Sequence, residues 1–205
     1  MSAAVEPRAP LPEHLDALRE IASMGAGHAA TALSELTGSA VEIDVPVIEV
    51  APLATVHLLV TEPEACAAAI YVEVVDGACA GALLMLPADQ AQTLVQAMLG
   101  MPCETFDELA TSALAETGNV LISSFVNAVG DATGLTLAVT PPSVALGMAG
   151  AILESVIAAS QSLDDQVLAI HTRLCVRGRS IDGSFWLLPD PESLALIVSA
   201  LGMPY

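Results

Sequence analysis

The feature that most constrains the fold of this chain is a repeat: its second half restates its first half. The stretch "DALREIAS", from residue 16, aligns with "SALAETGN", from residue 112, and shares Ala, Leu and Glu at three positions. In the same register "LTG" (36–38) meets "ATG" (132–134), and after a short shift the tetrapeptide "LGMP" closes both halves, at 99–102 and 201–204. Because the matches keep the same order, they predict an internal duplication of a unit of about a hundred residues.

Each half shows the same predicted order of elements. A long helix, over about 12–37 in the first copy and 107–131 in the second, precedes an extended run such as "VEIDVPVIEV", whose alternation is typical of a half-buried strand. Two strands joined by a turn follow, with an Asp-Gly pair in or beside each strand pair. A shorter helix then starts after Pro87 and after Pro189, and we expect it to stop at the glycine of "LGMP".

A helix–strand–strand–strand–helix unit, written twice, predicts an α+β fold with the helices packed on one face of a mainly antiparallel sheet. We expect a single domain over 1–205, made of two repeats at about 12–102 and 107–204 that are related by a pseudo-twofold axis. The sheets of the two repeats would join, with the long helices as symmetric neighbours. Since an internally duplicated chain has less need of a second copy, a monomer is expected.

Charge excludes several classes of partner. The chain carries 24 acidic residues against five arginines and no lysine, which gives a net charge of −19. Nucleic acids and anionic membranes both require clustered cations and are therefore poor partners. Arg173, Arg177 and Arg179 fall in one segment, which we interpret as a local patch on a strand pair. The acidity also raises the hypothesis that the protein is adapted to a salt-rich cytoplasm.

Hydrophobic residues make up 54% of the chain, yet no stretch reaches the about 18 uninterrupted apolar residues of a membrane-spanning helix. The opening "MSAAVEPRAPLPEH" has proline and acids where a signal peptide has a basic and then an apolar region, so a cytoplasmic location is expected. The cysteines, Cys66, Cys79, Cys103 and Cys175, show no CxxC pair and no histidine at metal-ligand spacing. This pattern favours reduced, buried cysteines over a zinc or redox site.

Both long helices carry a polar stripe opposite an apolar one. In the second copy the polar residues fall within about 80° of one another, and an isolated Glu–Asn pair at this spacing is typical of a solvated helix face. The stripes are Asp16, Glu20, Ser23, Gly27 and Thr31 in the first copy, and Ser112, Glu116, Asn119, Ser123 and Asn127 in the second. Each stripe belongs to a longer pattern of Asp or Ser, three residues, Glu, two residues, a small polar residue, 22 residues and a proline. The prolines are Pro46 and Pro142.

This pattern resembles the signature of the CheC/CheX/FliY family of chemotaxis phosphatases, and "GAGHAATALSELTG" (25–38) is similar to CheC in particular. The resemblance covers essentially the whole chain, including the duplication. It implies hydrolysis of the aspartyl phosphate of phosphorylated CheY, the response regulator that controls the flagellar or archaellar motor. It also implies that this chain has no cofactor or metal of its own, because the CheY partner supplies Mg²⁺. The receptor deamidase CheD is a further partner that the resemblance allows.

The resemblance also assigns roles to the residues of the pattern. In that family the helix docks on the regulator, its Asn orients a water in line with the phosphorus, and its Glu pairs with a lysine of the regulator. Asn119 is thereby the catalytic amide and Glu116 the docking group, while Ser112 and Pro142 match supporting positions. A neutral amide suits this task because it holds a water without adding negative charge beside the phosphoryl group. A carboxylate suits docking because it forms a charged anchor to a cation.

The first copy departs from the pattern at the amide, where Ser23 stands in place of Asn. A serine hydroxyl is shorter than the amide and presents a single oxygen, so it would position water poorly, whereas Glu20 could still dock. We therefore expect one competent site at Asn119 and a degenerate site at Glu20 and Ser23, with Asp16 and Pro46 as supporting positions. The alternative is a non-catalytic adaptor of the same family that binds CheY, CheD or the motor switch.

Overall fold

The computed structural model describes residues 12–60, 62–76, 80–159 and 166–200, and within them the two halves have the same order of elements. The first half comprises α1 (Pro12–Thr37), β1 (Val41–Ile43), β2 (Val47–Pro52), the 3-10 helix η1 (Leu53–Leu59), β3 (Cys66–Val75), β4 (Ala80–Pro87) and α2 (Ala88–Leu99). The second comprises α3 (Glu108–Thr133), β5 (Ala138–Val139), β6 (Ser143–Met148), α4 (Ala149–Ala159), β7 (Gln166–Val176), β8 (Arg179–Pro189) and α5 (Pro191–Ala200). Each half has a second short strand and a short helix that the sequence did not predict.

Within the described residues the strands form one eight-stranded sheet in which every pairing is antiparallel. The order is β1-β7-β8-β4-β3-β5, with β2 also paired to β7 and β6 also paired to β3. Exchanging the two halves reverses this order, which confirms the pseudo-twofold arrangement. The outer strands are exchanged between the halves, because β1 and β2 of the first pair with β7 of the second, and β5 and β6 of the second pair with β3 of the first.

Proline interrupts both outer edges of the sheet. Pro46 lies between β1 and β2, and Pro142 lies between β5 and β6. Because proline cannot donate a ladder hydrogen bond, it is confined to strand ends, bulges and edge strands. Each extended run that the sequence predicted as one strand is therefore divided into two. Short, interrupted edge strands also protect an open sheet against pairing with another chain.

The long helices cover one face of the sheet, where α1 and α3 pack against each other and against the central strands. Glycine permits both close approaches. A Cβ built on Gly25 would lie 2.9 Å from the Cα of Phe125, and one built on Gly118 would lie 2.6 Å from the Cγ2 of Ile70. Carbon atoms do not approach so closely without strain, so only glycine fits at these two positions as the helices lie.

The opposite face is covered as well, which corrects the expectation that the helices lie on one face. There, Trp186 and Leu83 belong to a second core with Val56 of η1 and Leu153 of α4. The central strands are apolar on both faces, as in "GALLML" of β4 and "FWLL" of β8, and both faces must therefore be buried. The sequence analysis did not predict α4, although its buried residues Ala149, Ile152 and Leu153 recur at helical spacing, because the segment is only 11 residues long.

Local signals set the ends of several elements. Gly100, in the left-handed region with φ 69°, ends α2 as predicted, while Gly202 lies outside the described residues. The side chain of Asp190 accepts a hydrogen bond from the backbone N–H of Ser193 at 2.7 Å and caps α5. The β7–β8 turn corrects the sequence prediction, because Arg177 and Gly178 form it, with φ of 52° and 72°, while the Asp-Gly pair at 182–183 lies inside β8. Two positive φ values in succession are typical of a type I′ hairpin turn.

The three clustered arginines lie on the β7–β8 hairpin, as the sequence predicted, and each binds a neighbour. Arg173 pairs with Asp182 at 2.6 Å, and this hydrogen bond with the carboxylate raises the pKa of the guanidinium. Arg177 donates to the Ser39 hydroxyl at 2.9 Å, beyond the end of α1, and Arg179 donates to the side-chain oxygen of Gln96 in α2 at 3.3 Å. The patch thus fastens the hairpin to the C-terminal ends of two helices.

Candidate functional site

The candidate site lies on the outer side of α3. The helix begins beyond Asp107, whose carboxylate accepts a hydrogen bond from the amide of Ala110 at 2.9 Å. Glu116 is exposed, and Asn119, one turn later, is half-buried. Gly118 packs on Ile70 of β3, so the backbone that carries both side chains is seated directly on the sheet. The structure therefore displays the two residues together on a firm support, as the helical period predicted.

The neighbours of these side chains leave them accessible to a partner. Ser112 is exposed one turn before Glu116, and Ser123 is half-buried one turn after Asn119. The Ser123 hydroxyl donates a hydrogen bond to the Oδ1 of Asn119 at 3.5 Å. In the described part of the chain Glu116 takes part in no ion pair, so its carboxylate is free to bind a cation of another protein.

The equivalent side chains of the first repeat lie on α1 in the same order. Asp16 and Glu20 are exposed, and Ser23 is half-buried. The Ser23 hydroxyl donates to the backbone carbonyl of Arg19 at 2.8 Å, and the Arg19 guanidinium binds the carboxylate of Asp16 at 2.7 Å. The hydroxyl hydrogen is thus directed into its own helix. The second repeat has Ala115 where the first has Arg19.

The two motif prolines lie apart from these polar stripes. Pro46 is buried and lines an apolar cavity of about 50 Å³ between α1, α3 and the sheet, together with Gly25 and Phe125. Pro142 is half-buried immediately before β6. Both prolines separate the two short strands of a sheet edge and so shape the path of the chain there. We assign neither proline a chemical role.

Sequence reasoning gave no role to two residues that contact the motif. Ser123 was assigned to the polar stripe only, although its spacing of four residues from Asn119 allows side-chain contact on a helix. Arg19 was not considered, although its spacing of three residues from Asp16 permits the ion pair that the structure contains. Both contacts could have been found from helical spacing, but their choice of partner could not, because it depends on side-chain rotamers.

The cysteines are free thiols in different environments. Cys103 is buried as expected, Cys175 is half-buried, and Cys66 is exposed, which corrects the expectation for that residue; Cys79 lies outside the described residues. Burial, with a contribution from the carboxylate of Asp107, raises the pKa of the Cys103 thiol. Across the described ranges no three His, Cys, Asp or Glu side chains are grouped so that they could hold a metal ion.

Comparison with known proteins finds similarity to two chemotaxis families. The CheC-like family matches at residues 13–50, and the chemotaxis phosphatase CheX family matches at residues 68–163. The CheY-P phosphatase CheC of Bacillus subtilis (strain 168) is 25% identical over 197 residues, which cover 93% of this chain and 94% of that protein. Over most of its length the chain thus resembles proteins of the CheC/CheX/FliY family.

Solved structures of the CheC/CheX/FliY type share its fold. FliY of Thermotoga maritima superposes with a TM-score of 0.76 at 20% identity, over 95% of this chain and 98% of that one. The FliM middle domain from H. pylori gives 0.67 at 12% identity, over 93% and 99%. The CheX–CheY–BeF3–Mg²⁺ complex from Borrelia burgdorferi gives 0.51 at 13% identity, over 86% and 97%. The chain thus shares its α+β fold, with its antiparallel sheet, with these three structures.

Among the described residues no helix combines the length and the apolar character that crossing a bilayer requires.

Proposed function

We propose that this protein is a protein phosphatase that hydrolyses the aspartyl phosphate of a phosphorylated CheY-type response regulator. The observation that carries the proposal is the joint display of Glu116 and Asn119 on the outer side of α3. Similarity to known proteins supports the substrate class, since the relative from Bacillus subtilis is named a CheY-P phosphatase and a CheX of similar fold was crystallised with CheY. In this proposal the competent site is that of the second repeat.

Asn119 orients the attacking water. The oxygen of this water forms a bond to phosphorus as the bond from phosphorus to the aspartyl oxygen breaks, and the products are inorganic phosphate and a free carboxylate. The leaving carboxylate needs no proton at neutral pH, so this chain need not supply a general acid. What the reaction requires is position, and a neutral amide supplies it without repelling the anionic phosphoryl group. The Mg²⁺ that offsets the phosphoryl charge belongs to the regulator.

Glu116 docks the helix on the regulator. Its carboxylate is exposed and forms no ion pair within the described residues, and it stands one turn before the amide. A charge-assisted hydrogen bond to a lysine at the rim of the phosphorylation site would fix the register of the helix and place Asn119 over the phosphorus. Docking and orientation are thus divided between two adjacent side chains.

The first repeat lacks a competent amide in this proposal. The Ser23 hydroxyl donates its hydrogen to the backbone carbonyl of Arg19, so it is engaged with its own helix. This contact supports a first site that is degenerate in catalysis, although the exposed Glu20 could still dock.

The test is the decay of phosphorylated CheY with the wild-type protein, Asn119→Ala and Asn127→Ala. We expect Asn119→Ala to return the decay to the rate of the regulator alone, because the water loses its orienting group. Asn127→Ala is the matched control, since Asn127 is exposed on the same stripe two turns further along. With this variant, phosphorylated CheY should decay as fast as it does with the wild-type protein. Equal decay with and without the wild-type protein contradicts the proposal.

The docking role has its own measurement. Glu116→Gln keeps the size of the side chain and removes its charge, so we expect the KM for phosphorylated CheY to rise by about tenfold or more, as for a lost charged hydrogen bond. The value of kcat should change less, because the amide is intact. A Glu116→Gln protein with an unaltered KM contradicts the assignment of Glu116 as the anchor.

A second candidate function is that of an adaptor that binds CheY, CheD or the motor switch without turnover. The degenerate first site and the fold shared with the FliM middle domain favour it. An adaptor would bind phosphorylated CheY in a pull-down yet leave its decay rate unchanged. The decay assay therefore separates the two functions.

A further inference from the structure

We infer that Ser123 is a positioning residue that orients the carboxamide of Asn119, an inference that rests on the proposed phosphatase function. The contact that suggests it is the hydrogen bond from the Ser123 hydroxyl to the Asn119 Oδ1. Ser123 does not belong to the sequence pattern that led to Glu116 and Asn119. Its role is to act on the reaction through the amide.

The direction of this hydrogen bond sets Ser123 apart. Serine and threonine hydroxyls within helices commonly donate to the backbone carbonyl four residues earlier. Among the described residues, hydroxyls that do so are those of Ser23, Thr31, Ser34, Thr37, Thr93, Thr117, Thr133 and Ser155. The hydroxyl of Ser123 instead donates to the side chain of the residue four positions earlier. Its hydrogen therefore points toward the amide of Asn119 and not toward the backbone of the helix.

The contact restricts the amide without using up its capacity. An amide oxygen has two lone pairs, so Oδ1 can accept from Ser123 and still accept from the attacking water. Fixing the terminal rotation of the half-buried Asn119 before docking lowers the ordering cost of the reactive complex. The distance of 3.5 Å is long for a hydroxyl donor. Catalytic hydrogen bonds in unliganded proteins tighten when the partner binds, which fits a contact that forms fully under the regulator.

The first repeat offers an internal comparison. The residue equivalent to Ser123, 96 positions earlier, is Gly27, which has no side chain to hold an amide. A Cβ built there meets nothing within 4 Å, so space does not exclude a serine at this position. The first repeat thus lacks both the amide and the hydroxyl that would orient it. This joint absence is expected if the hydroxyl serves only to orient the amide, because the hydroxyl has no role where the amide is missing.

The experiment measures kcat and KM for decay of phosphorylated CheY with Ser123→Ala, Ser123→Thr and the neighbouring control Ser124→Ala. We expect Ser123→Ala to lower kcat about two- to tenfold, the effect of one lost hydrogen bond, with KM unchanged. Ser123→Thr keeps the hydroxyl and should recover most of the wild-type kcat, and Ser124→Ala should match the wild type. Alanine favours helix more than serine does, so loss of folding is not expected.

Each outcome is decisive. If the wild-type protein does not accelerate decay, the proposed function fails and this inference fails with it. If Asn119→Ala abolishes the acceleration but Ser123→Ala retains the wild-type kcat, the proposed function stands and only the role of Ser123 is overturned. The role is equally overturned if Ser123→Thr is as slow as Ser123→Ala, or if Ser124→Ala is slowed to the same extent.

Discussion

Asn119 and Ser23 occupy equivalent positions in the two repeats, yet their polar atoms are used in different ways. The Asn119 amide receives a hydrogen bond from a side chain one turn later, whereas the Ser23 hydroxyl donates its own hydrogen to the backbone one turn earlier. The first arrangement leaves an oriented acceptor at the surface, and the second leaves none. In the proposed mechanism, competence depends on both residues of this pair, and the first repeat has neither of them, since Ser23 and Gly27 stand at the equivalent positions.

Restoring both residues should therefore restore more activity than restoring one. In an Asn119→Ala background, which removes the second site, we expect Ser23→Asn to give a small acceleration of CheY-P decay and Ser23→Asn with Gly27→Ser to give a severalfold larger one. The measurement is the decay rate of phosphorylated CheY at a fixed, saturating concentration of each variant. No gain in the double replacement over Ser23→Asn would contradict a joint role for these positions.

The exposure of the candidate residues could be predicted from the sequence, but their contacts could not. Helical spacing places Glu116 and Asn119 on one outer stripe, and the structure has both at the surface. The donors and acceptors chosen by Ser123 and Ser23 follow from rotamers that depend on the surrounding structure. The catalytic roles of Glu116 and Asn119 stay predictions, because they require a partner protein that neither the sequence nor the fold contains.

At the scale of elements, glycine permits two close approaches, one between α1 and α3 and the other between α3 and the sheet. Gly25 meets the backbone of α3, and Gly118 meets a side chain of β3. The ends of both helices were predicted to within two residues, since local caps and the period of apolar residues set them. The helices η1 and α4 were missed because both are short, so few residues are available to show a helical period, and their structure is decided by tertiary burial.

The close approach at Gly118 predicts opposite effects for two glycine-to-alanine replacements. Gly118→Ala should destabilise the protein by about 1–3 kcal/mol, because the new methyl group would lie 2.6 Å from the Ile70 Cγ2. Gly27→Ala should stabilise it by up to about 1 kcal/mol, because that position is open and alanine is the better helix former. Urea unfolding followed by circular dichroism measures both. A Gly118→Ala protein as stable as Gly27→Ala would contradict the packing described here.

At the scale of the whole molecule, the dominant electrostatic feature is a net charge of −19. The chain has 24 acidic and five basic residues, and the ion pairs within its described part are two, both at the surface. Exposed pairs of this kind contribute at most about 1 kcal/mol each. Repulsion among the remaining carboxylates therefore opposes the compact state at low ionic strength.

Salt should relieve this repulsion. We expect the midpoint of thermal unfolding to rise as KCl is increased from low to molar concentration, because the Debye length falls from about 30 Å at 0.01 M to about 3 Å at 1 M. The measurement is a series of thermal melts at neutral pH, with sucrose as a control for effects that do not depend on charge. Midpoints that stay constant across the KCl series would remove the hypothesis of adaptation to a salt-rich cytoplasm.

The exchange of edge strands ties the fates of the two repeats together. Each repeat supplies the outer strands that pair with the hairpin of the other. A chain cut between α2 and α3 would therefore give two fragments, each without the outer strands next to its own hairpin. Deletion of the first repeat would remove β1 and β2 from β7 and would remove β4 from β8, so the second repeat would lose a neighbour on each side of its hairpin. The first repeat is consequently part of the scaffold that carries Asn119, whatever the outer side of α1 binds.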